Sequence, residues 1–279
     1  MRDALLSKAE HVQQVRRLVP VSLVPTVVRR RLDQVWDDAD FRAQAEGQMR
    51  YLLEHTERAD EAVHLARGYA EQMLLRSYLR WHPRAITRQR VRGIEWLTTR
   101  RDPERGVVLS FMHHNRYDGM FGSLARLGPV IHTVAAPEMV APDAPISFRQ
   151  HIHVVRRGSI TVPSSGGTDA LVALLRQGVI LGIASDFPGR TPVTFLGRRV
   201  MGSFGAARLA AITNSPVVLV TVQRDAEGSY LQVEPPIEPA DLGEPGPLLD
   251  EILRRHEAPV LAWPEAFESP VARFGALDD

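Results

Sequence analysis

Apolar residues recur at helical spacing in the early part of the chain. They form two groups, residues 49–53 and residues 65–74, in which positions three or four apart share one face of a helix. Pro83 closes this pattern. We predict that residues 1–85 form a helical region that packs on the part of the chain that follows.

Beyond residue 85 the pattern changes to short apolar runs that alternate with amphipathic segments. The runs predict strands at 107–111, 130–135, 152–155, 159–162, 179–184, 217–223 and 231–233. The amphipathic segments predict helices at 118–127, 168–177, 203–213 and 247–256. Such alternation is typical of a mainly parallel central sheet covered by helices on both faces. We therefore predict an α/β protein with an N-terminal helical layer, in which residues 86–279 form one structural unit.

Composition and charge exclude several classes of protein. The chain has 279 residues, of which 44% are hydrophobic and 24% charged, as in globular proteins. The formal net charge of +1 gives no strong field for nucleic acid, so no nucleic-acid partner is predicted. The absence of cysteine excludes disulfides, thiolate zinc sites and cysteine nucleophiles. No acidic cluster accompanies His151 and His153, so no metal site is predicted there.

The sequence contains no run of ~18 apolar residues that would predict a membrane span. Charged residues follow Met1 directly, which argues against a secretory signal. We therefore expect a cytoplasmic protein. Residues 18–28 are mainly apolar and have arginines on both sides. This segment fits peripheral contact with the anionic inner face of the cell membrane, and a helical hairpin packed on the rest of the chain is the alternative.

A candidate for proton transfer follows the first buried strand. His113 ends the apolar run 107–112, and Asp118 lies five residues further on. A neutral imidazole can remove a proton from a hydroxyl or amine as that group attacks a carbonyl. A carboxylate on the other ring nitrogen fixes the tautomer and stabilises the imidazolium. We predict that His113 is the general base and that Asp118 orients it.

The same segment contains a second motif that nominates the neighbouring histidine. His113, His114, Asp118 and Gly119 together give His-His-x3-Asp-Gly, which resembles the motif of peptide-synthetase condensation domains. In that family the second histidine is the important one, so His114 is the alternative base. Both interpretations imply acyl transfer.

Further segments occur in a fixed order around this motif. They are residues 91–97 and 105–110 before it, and residues 181–186, 189–197, 202–210 and 214–218 after it. This series resembles the lysophospholipid acyltransferase superfamily over roughly residues 85–265, and it is most similar to the branch of bacterial lipid A and phosphatidylinositol mannoside acyltransferases. The resemblance implies transfer of an acyl group from acyl-CoA or acyl carrier protein to a lipid or small-molecule acceptor. It implies no cofactor besides that acyl donor, and no metal.

The resemblance also implies further site residues. Asp186 would support the histidine or line the acceptor pocket, and Arg190 would hold a phosphate through its planar guanidinium. Arg157, with Arg156 as the alternative, would contact the acceptor. The remaining substrate-binding candidates are Asn115, Arg116, Phe195 and Gly197.

Some positions depart from the lipid A enzymes. These enzymes carry an aromatic-Gly-Asn-Trp step where this chain has His114, Asn115, Arg116 and Tyr117. The departure leaves three further functions open: a soluble enzyme of specialised metabolism that forms an amide or ester, hydrolysis of the thioester by water, or a catalytically silent protein that binds an acyl chain or a carrier protein.

Overall fold

The computed structural model describes residues 13–114 and 116–275. The strands are β1 (Arg90–Arg92), β2 (Val107–Phe111), β3 (Ile131–Ala135), β4 (Ser159–Pro163), β5 (Ile180–Ala184), β6 (Pro188–Phe195), β7 (Arg198–Gly202), β8 (Val217–Asp225) and β9 (Gly228–Val233). Seven of them form a central sheet with the order β1-β9-β8-β2-β5-β3-β4, and a two-stranded hairpin, β6–β7, is separate from it. The sheet is parallel from β8 to β4, and β9 is antiparallel to β8. The predicted α/β class with a mainly parallel sheet is confirmed.

Helices precede, connect and follow the strands. They are α1 (Val24–Trp36), α2 (Ala39–Leu53), α3 (Ala62–Leu79), α4 (Pro83–Ile86), α5 (Met120–Ala125), α6 (Pro137–Val140), α7 (Ile146–Val155), α8 (Gly167–Arg176), α9 (Gly205–Thr213), α10 (Pro239–Leu242), α11 (Pro245–Ala262) and α12 (Pro270–Arg273). A short 3-10 turn, Tyr117–Gly119, leads into α5.

Strand β2 shows why this sheet is covered on both faces. All five of its residues are buried. Val108 belongs to one hydrophobic core, whereas Val107, Leu109 and Phe111 belong to a second core. Successive side chains of a strand point to opposite faces, so the two cores lie on opposite sides of the sheet. The uninterrupted apolar run therefore reflects burial from both sides.

One predicted strand is wrong. Residues 152–155 form the end of helix α7, not a strand. The buried residues His151, Ile152, Val154 and Val155 have the spacing of one helix face. The β-branched residues alone favoured a strand, but packing of this face overrides that preference.

Helices α1, α2 and α3 form a layer on one face of the sheet. Met49, Leu53 and Ala66 from this layer join the core that contains Val108 of β2. The predicted boundary at residue 86 between a helical region and a catalytic region stays a prediction. Helix α3, before that boundary, also supplies side chains to the site described below. Residues 1–12, the first part of the predicted helical region, lie outside the described residues.

Residues 18–28 do not form one continuous helix. The 3-10 turn Val21–Leu23 leads into α1, where Val24 and Val28 are buried, while Leu18 and Leu23 are exposed. None of the helices within the described ranges is both long enough and apolar enough to cross a membrane. Contact of this segment with a membrane surface stays a prediction.

Candidate active site

His113 and Asp186 meet at the carboxyl edge of the sheet. Each lies two residues beyond a strand, and the two strands are neighbours in which Phe111 pairs with Ala184. Asp186 Oδ1 lies 2.7 Å from His113 Nδ1, and Asp186 Oδ2 accepts the backbone N–H of His113 at 2.8 Å. These two bonds fix the position and the orientation of the imidazole.

The fully buried Asp186 carboxyl is ionised. Burial alone would raise its pKa, but the charge and hydrogen bonds of His113 and the charge of Arg273 hold the pKa below its usual value. Arg273 Nε lies 3.8 Å from Asp186 Oδ2. An ionised carboxylate can only accept hydrogen bonds, so Nδ1 of His113 carries the proton. When the ring is neutral, its lone pair is then on Nε2, as a general base requires.

His113 lines a small cavity of about 40 Å³ between the sheet and helix α7. The rings of Tyr117 and Phe187 meet the imidazole edge-on at centroid distances of 4.5 and 5.3 Å. Apolar side chains form most of the remaining wall, among them Phe111, Phe121, Met139, Ile152 and Val155. Because His113 is only 7% exposed, a reacting group would meet the imidazole in a place with little water.

Asp118 does not pair with His113, contrary to the prediction from their spacing. Its carboxylate accepts hydrogen bonds from His151 Nδ1 at 2.7 Å, Arg76 Nε at 2.8 Å and Arg80 Nη2 at 3.2 Å. The physical reason is the turn between the two residues. Arg116 is left-handed, with φ 66°, and the 3-10 turn that follows directs Asp118 toward helix α3. The hydrogen bond to His113 Nδ1 that was predicted for Asp118 is instead made by Asp186.

Asp118 belongs to a buried charge network that reaches the C-terminal segment. Arg76 pairs with Glu268 as well as with Asp118, and Arg273 also pairs with Glu268. Burial alone would raise the pKa of both carboxyls. The arginines instead hold the pKa of Asp118 well below its usual value and lower that of Glu268 to about 2. The backbone N–H of Glu268 donates to the carbonyl of His113 at 2.8 Å, so this network adjoins the histidine directly.

Replacing Arg76 with alanine should strongly destabilise the fold. The change removes the main cation from the buried carboxylate of Asp118 and from the partly exposed one of Glu268, and loss of one partner of a buried pair typically costs about 3–5 kcal/mol. Arg67→Ala is a matched control on the same helix, because the ion pair of Arg67 with Asp33 is exposed and such pairs contribute at most ~1 kcal/mol. Urea unfolding measures both variants. Equal, small losses would show that the buried network does not hold helix α3 to the sheet.

Several residues of this region, Arg273 among them, were not among the predicted site residues. Arg76 lies on α3 and Arg80, four positions further on, caps its C-terminal end, so both share one helix face, a spacing visible in the sequence. Their partner is not visible, because Asp118 lies 38 to 42 residues further on. His151 was placed beside a strand that proved to be a helix, and Glu268 lies beyond the last predicted element.

His114, the alternative base, points away from the cavity. Its Nε2 donates to the backbone carbonyl of Trp263 at 2.8 Å, and its ring packs edge-on against that side chain. Burial lowers the pKa of His114 to about 4. Packing explains the glycine at position 119 of the second motif, because a Cβ atom there would lie 2.0 Å from the carbonyl oxygen of Ile86. The condensation-type arrangement is therefore not assembled at this cavity.

Two further candidates lie in the β6–β7 hairpin and do not line the cavity. The ring of Phe195 packs against Phe274 at a centroid distance of 5.1 Å. Gly197 has φ 75°, and a Cβ atom there would lie 2.5 Å from the carbonyl oxygen of His55. Both residues have packing roles in this turn, so their predicted contact with substrate finds no support in their position.

The candidate cations are spread over the surface. Arg157 is exposed beside His153, and Arg190 is exposed on β6 without an ion pair to any described residue. Neither lines the cavity. Arg116 directly precedes Tyr117 but does not line the cavity, and partial burial and the nearby charge of Arg224 lower its pKa. Asn115, the remaining substrate-binding candidate, lies outside the described residues.

The assembled site can perform proton transfer next to a bound carbonyl compound. The imidazole of His113 is held by the carboxylate of Asp186 at the sheet edge where α/β proteins bind ligands. An apolar cavity adjoins it, and the surroundings exclude most water. This combination suits attack of a hydroxyl or amine on a carbonyl whose hydrocarbon part enters the cavity.

Comparison with known proteins yields one family. Residues 72–268 match the family described as bacterial lipid A biosynthesis acyltransferase. No curated protein matches the chain. Among solved structures, the chain is similar to the 1-acyl-sn-glycerophosphate (LPA) acyltransferase PlsC from Thermotoga maritima, with 14% identity, a TM-score of 0.43, and coverage of 89% of this chain and 96% of that chain. The family match includes helix α3 from residue 72 onward and both His113 and Asp186.

Proposed function

We propose that this chain, which belongs to the bacterial lipid A biosynthesis acyltransferase family, uses His113 as the general base for transfer of an acyl group from acyl-CoA or acyl carrier protein. The acceptor is a hydroxyl or amine of a lipid. The observation that carries this proposal is the geometry of His113, whose Nδ1 is bonded to buried Asp186 beside an apolar cavity. No cofactor besides the acyl donor takes part.

The reaction needs one proton carrier. The acceptor loses its proton to Nε2 of His113 as its oxygen or nitrogen attacks the thioester carbonyl carbon. The tetrahedral intermediate then collapses, the C–S bond breaks, and the leaving thiolate takes the proton from the imidazolium. Asp186 accepts the Nδ1 hydrogen bond throughout and stabilises the imidazolium. The acyl group and one proton are thereby exchanged between donor and acceptor.

The surroundings of His113 favour transfer over hydrolysis. The imidazole is 7% exposed, and the rings of Tyr117 and Phe187 flank it. A closed apolar site limits the water that could compete with the acceptor for the thioester. The buried position of the base therefore supports an acyltransferase more strongly than a thioesterase.

Positive charge outside the cavity suits an anionic part of a substrate. Arg116 and Arg224 lie near each other, and neither forms an ion pair with a carboxylate in the described part of the chain. The guanidinium of Arg224 lies over the ring of Trp263 at 4.5 Å. Planar guanidinium groups bind phosphate well. These two arginines fit a phosphate of the donor or of the lipid headgroup.

Incubation of the full chain with acyl-CoA and acyl carrier protein donors and a panel of lysolipid and glycolipid acceptors tests the proposal. We expect acylated acceptor, detected by mass spectrometry, and free thiol in equal amounts. Free thiol without acylated acceptor, at the same rate with and without every acceptor, would identify a thioesterase instead.

A further inference from the structure

The buried charge network forms a row of alternating charges between helix α3 and the site. The order is Asp118, Arg76, Glu268, Arg273 and Asp186, and each side chain forms an ion pair with the next. Arg80 adds a second cation to Asp118, at 3.2 Å. Three carboxylates therefore face three arginines, and their formal charges sum to zero without any charge on His113.

Arg273 stands at the end of the row that meets Asp186. Its Nη2 pairs with Glu268 Oε2 at 2.5 Å, and its Nε donates to the backbone carbonyl of Glu268 at 2.9 Å. The same Nε lies 3.8 Å from Asp186 Oδ2, which is too long for a hydrogen bond. Arg273 therefore acts on the buried Asp186 carboxylate through its charge, and burial makes such an interaction stronger than it would be in water.

Glu268 lies between two guanidinium groups and next to His113. Its Oε2 contacts both Arg76 and Arg273, and its backbone N–H donates to the carbonyl of His113 at 2.8 Å. Further along the segment, the backbones of residues 275 and 201 exchange two hydrogen bonds of 2.9 Å, which tie the segment to β7. Glu268 and Arg273 are thus held in place beside the pair of His113 and Asp186.

The other titratable groups around this pair are neutral near pH 7. Burial lowers the pKa of His114 and His256 to about 4, lowers that of His151, and raises those of Tyr69 and Tyr117. Within the described part of the chain, the charges that remain next to the pair belong to the network.

We propose that Arg273 and Glu268 are positioning residues with opposite effects on the protonation of His113. The Asp186 carboxylate favours the imidazolium. Arg273 offsets that carboxylate and helps His113 to release its proton, whereas Glu268 offsets Arg273 and limits this effect. The inference rests on the proposed function, because a general base must be unprotonated when the acceptor binds.

Removal of each charge should move the protonation of His113 in opposite directions. NMR of the full chain with isotope-labelled histidine follows each imidazole as the pH is raised, and the signal missing from His113→Ala identifies the ring. In Arg273→Gln the pH of half-protonation should rise by about 0.5 units or more, because a cation that disfavours the imidazolium is lost. In Glu268→Gln it should fall by a similar amount, because a carboxylate that favours the imidazolium is lost.

Two control variants separate the effect of charge from changes in packing. Arg273→Lys keeps the cation and should keep the wild-type pH of half-protonation. Arg254→Gln removes a cation that pairs with Glu251 on α11 and is 67% exposed, and it should also leave this pH unchanged. Shifts in the same direction in Arg273→Gln and Glu268→Gln, or shifts no larger than that of Arg254→Gln, would overturn the inference.

Enzyme kinetics separate this inference from the proposed function. The acid side of the kcat/KM profile should move to higher pH in Arg273→Gln and to lower pH in Glu268→Gln, as the imidazole does. A wild-type chain that transfers no acyl group would overturn the proposed function. The NMR titration needs no substrate, so it would still decide whether Arg273 and Glu268 control the protonation of His113.

Discussion

Replacement of His113 with alanine should lower kcat/KM for acyl transfer by about 10²- to 10⁴-fold, the usual contribution of a positioned general base. The variant loses the imidazole that lines the cavity and has the Asp186 carboxylate on its Nδ1. The acyl donor should bind to the variant nearly as well as to the wild type, because the apolar wall is unchanged. Steady-state kinetics with one donor and one acceptor measures the loss.

His114→Ala is the matched control for this result. His114 is the adjacent histidine, but its Nε2 donates to the carbonyl of Trp263. Its loss should lower the free energy of unfolding and leave kcat/KM within about tenfold of the wild-type value at a temperature where the variant is folded. Inactivation by His114→Ala with tolerance of His113→Ala would instead support a condensation-type site.

Asp186→Asn should lower kcat/KM by about 10²- to 10⁴-fold with little change in shape. The carboxylate of Asp186 accepts two hydrogens from His113, one from the backbone and one from Nδ1. Asparagine offers one acceptor oxygen and one donor nitrogen, so it cannot accept both. The ring is then driven to the tautomer with its proton on Nε2, which cannot act as a base.

Asp118→Asn distinguishes a site in which Asp186 supports His113 from one in which Asp118 does so, as the His-x4-Asp spacing predicts. The change weakens the bonds to Arg76, Arg80 and His151, so the protein should unfold more easily. At a temperature where it remains folded, kcat/KM should stay within about tenfold of the wild type, because His113 keeps its carboxylate. The opposite order, with Asp118→Asn inactive and Asp186→Asn active, would restore the His-x4-Asp pairing.

The position of His113 at a strand end was predictable from the residues, whereas its pairing with Asp186 was implied only by the family resemblance, as one of two roles. The buried runs 107–111 and 179–184 both became strands, and each ends two residues before a polar group, His113 or Asp186. The sequence does not say that these two strands are neighbours. Asp118 was the natural choice because it is close along the chain. The left-handed residue Arg116 and the turn after it direct that carboxylate elsewhere.

The support around the site was predictable only in part. The spacing of Arg76 and Arg80 shows that they share one helix face at the C-terminal end of α3, but only tertiary packing sets that face against Asp118. His151 was not predicted as a site residue, because residues 152–155 were assigned to a strand. The β-branched residues there lie in a helix.

A double-mutant cycle tests most directly the central claim that His113 and Asp186 act as one unit. Single-turnover rates of acyl transfer are compared for the wild type, His113→Ala, Asp186→Asn and the double variant. If Asp186 acts only through the imidazole, the Asp186→Asn change should alter the rate of His113→Ala by less than about threefold. A further loss of about 10²-fold in the double variant would contradict the claim, because Asp186 would then act independently of His113.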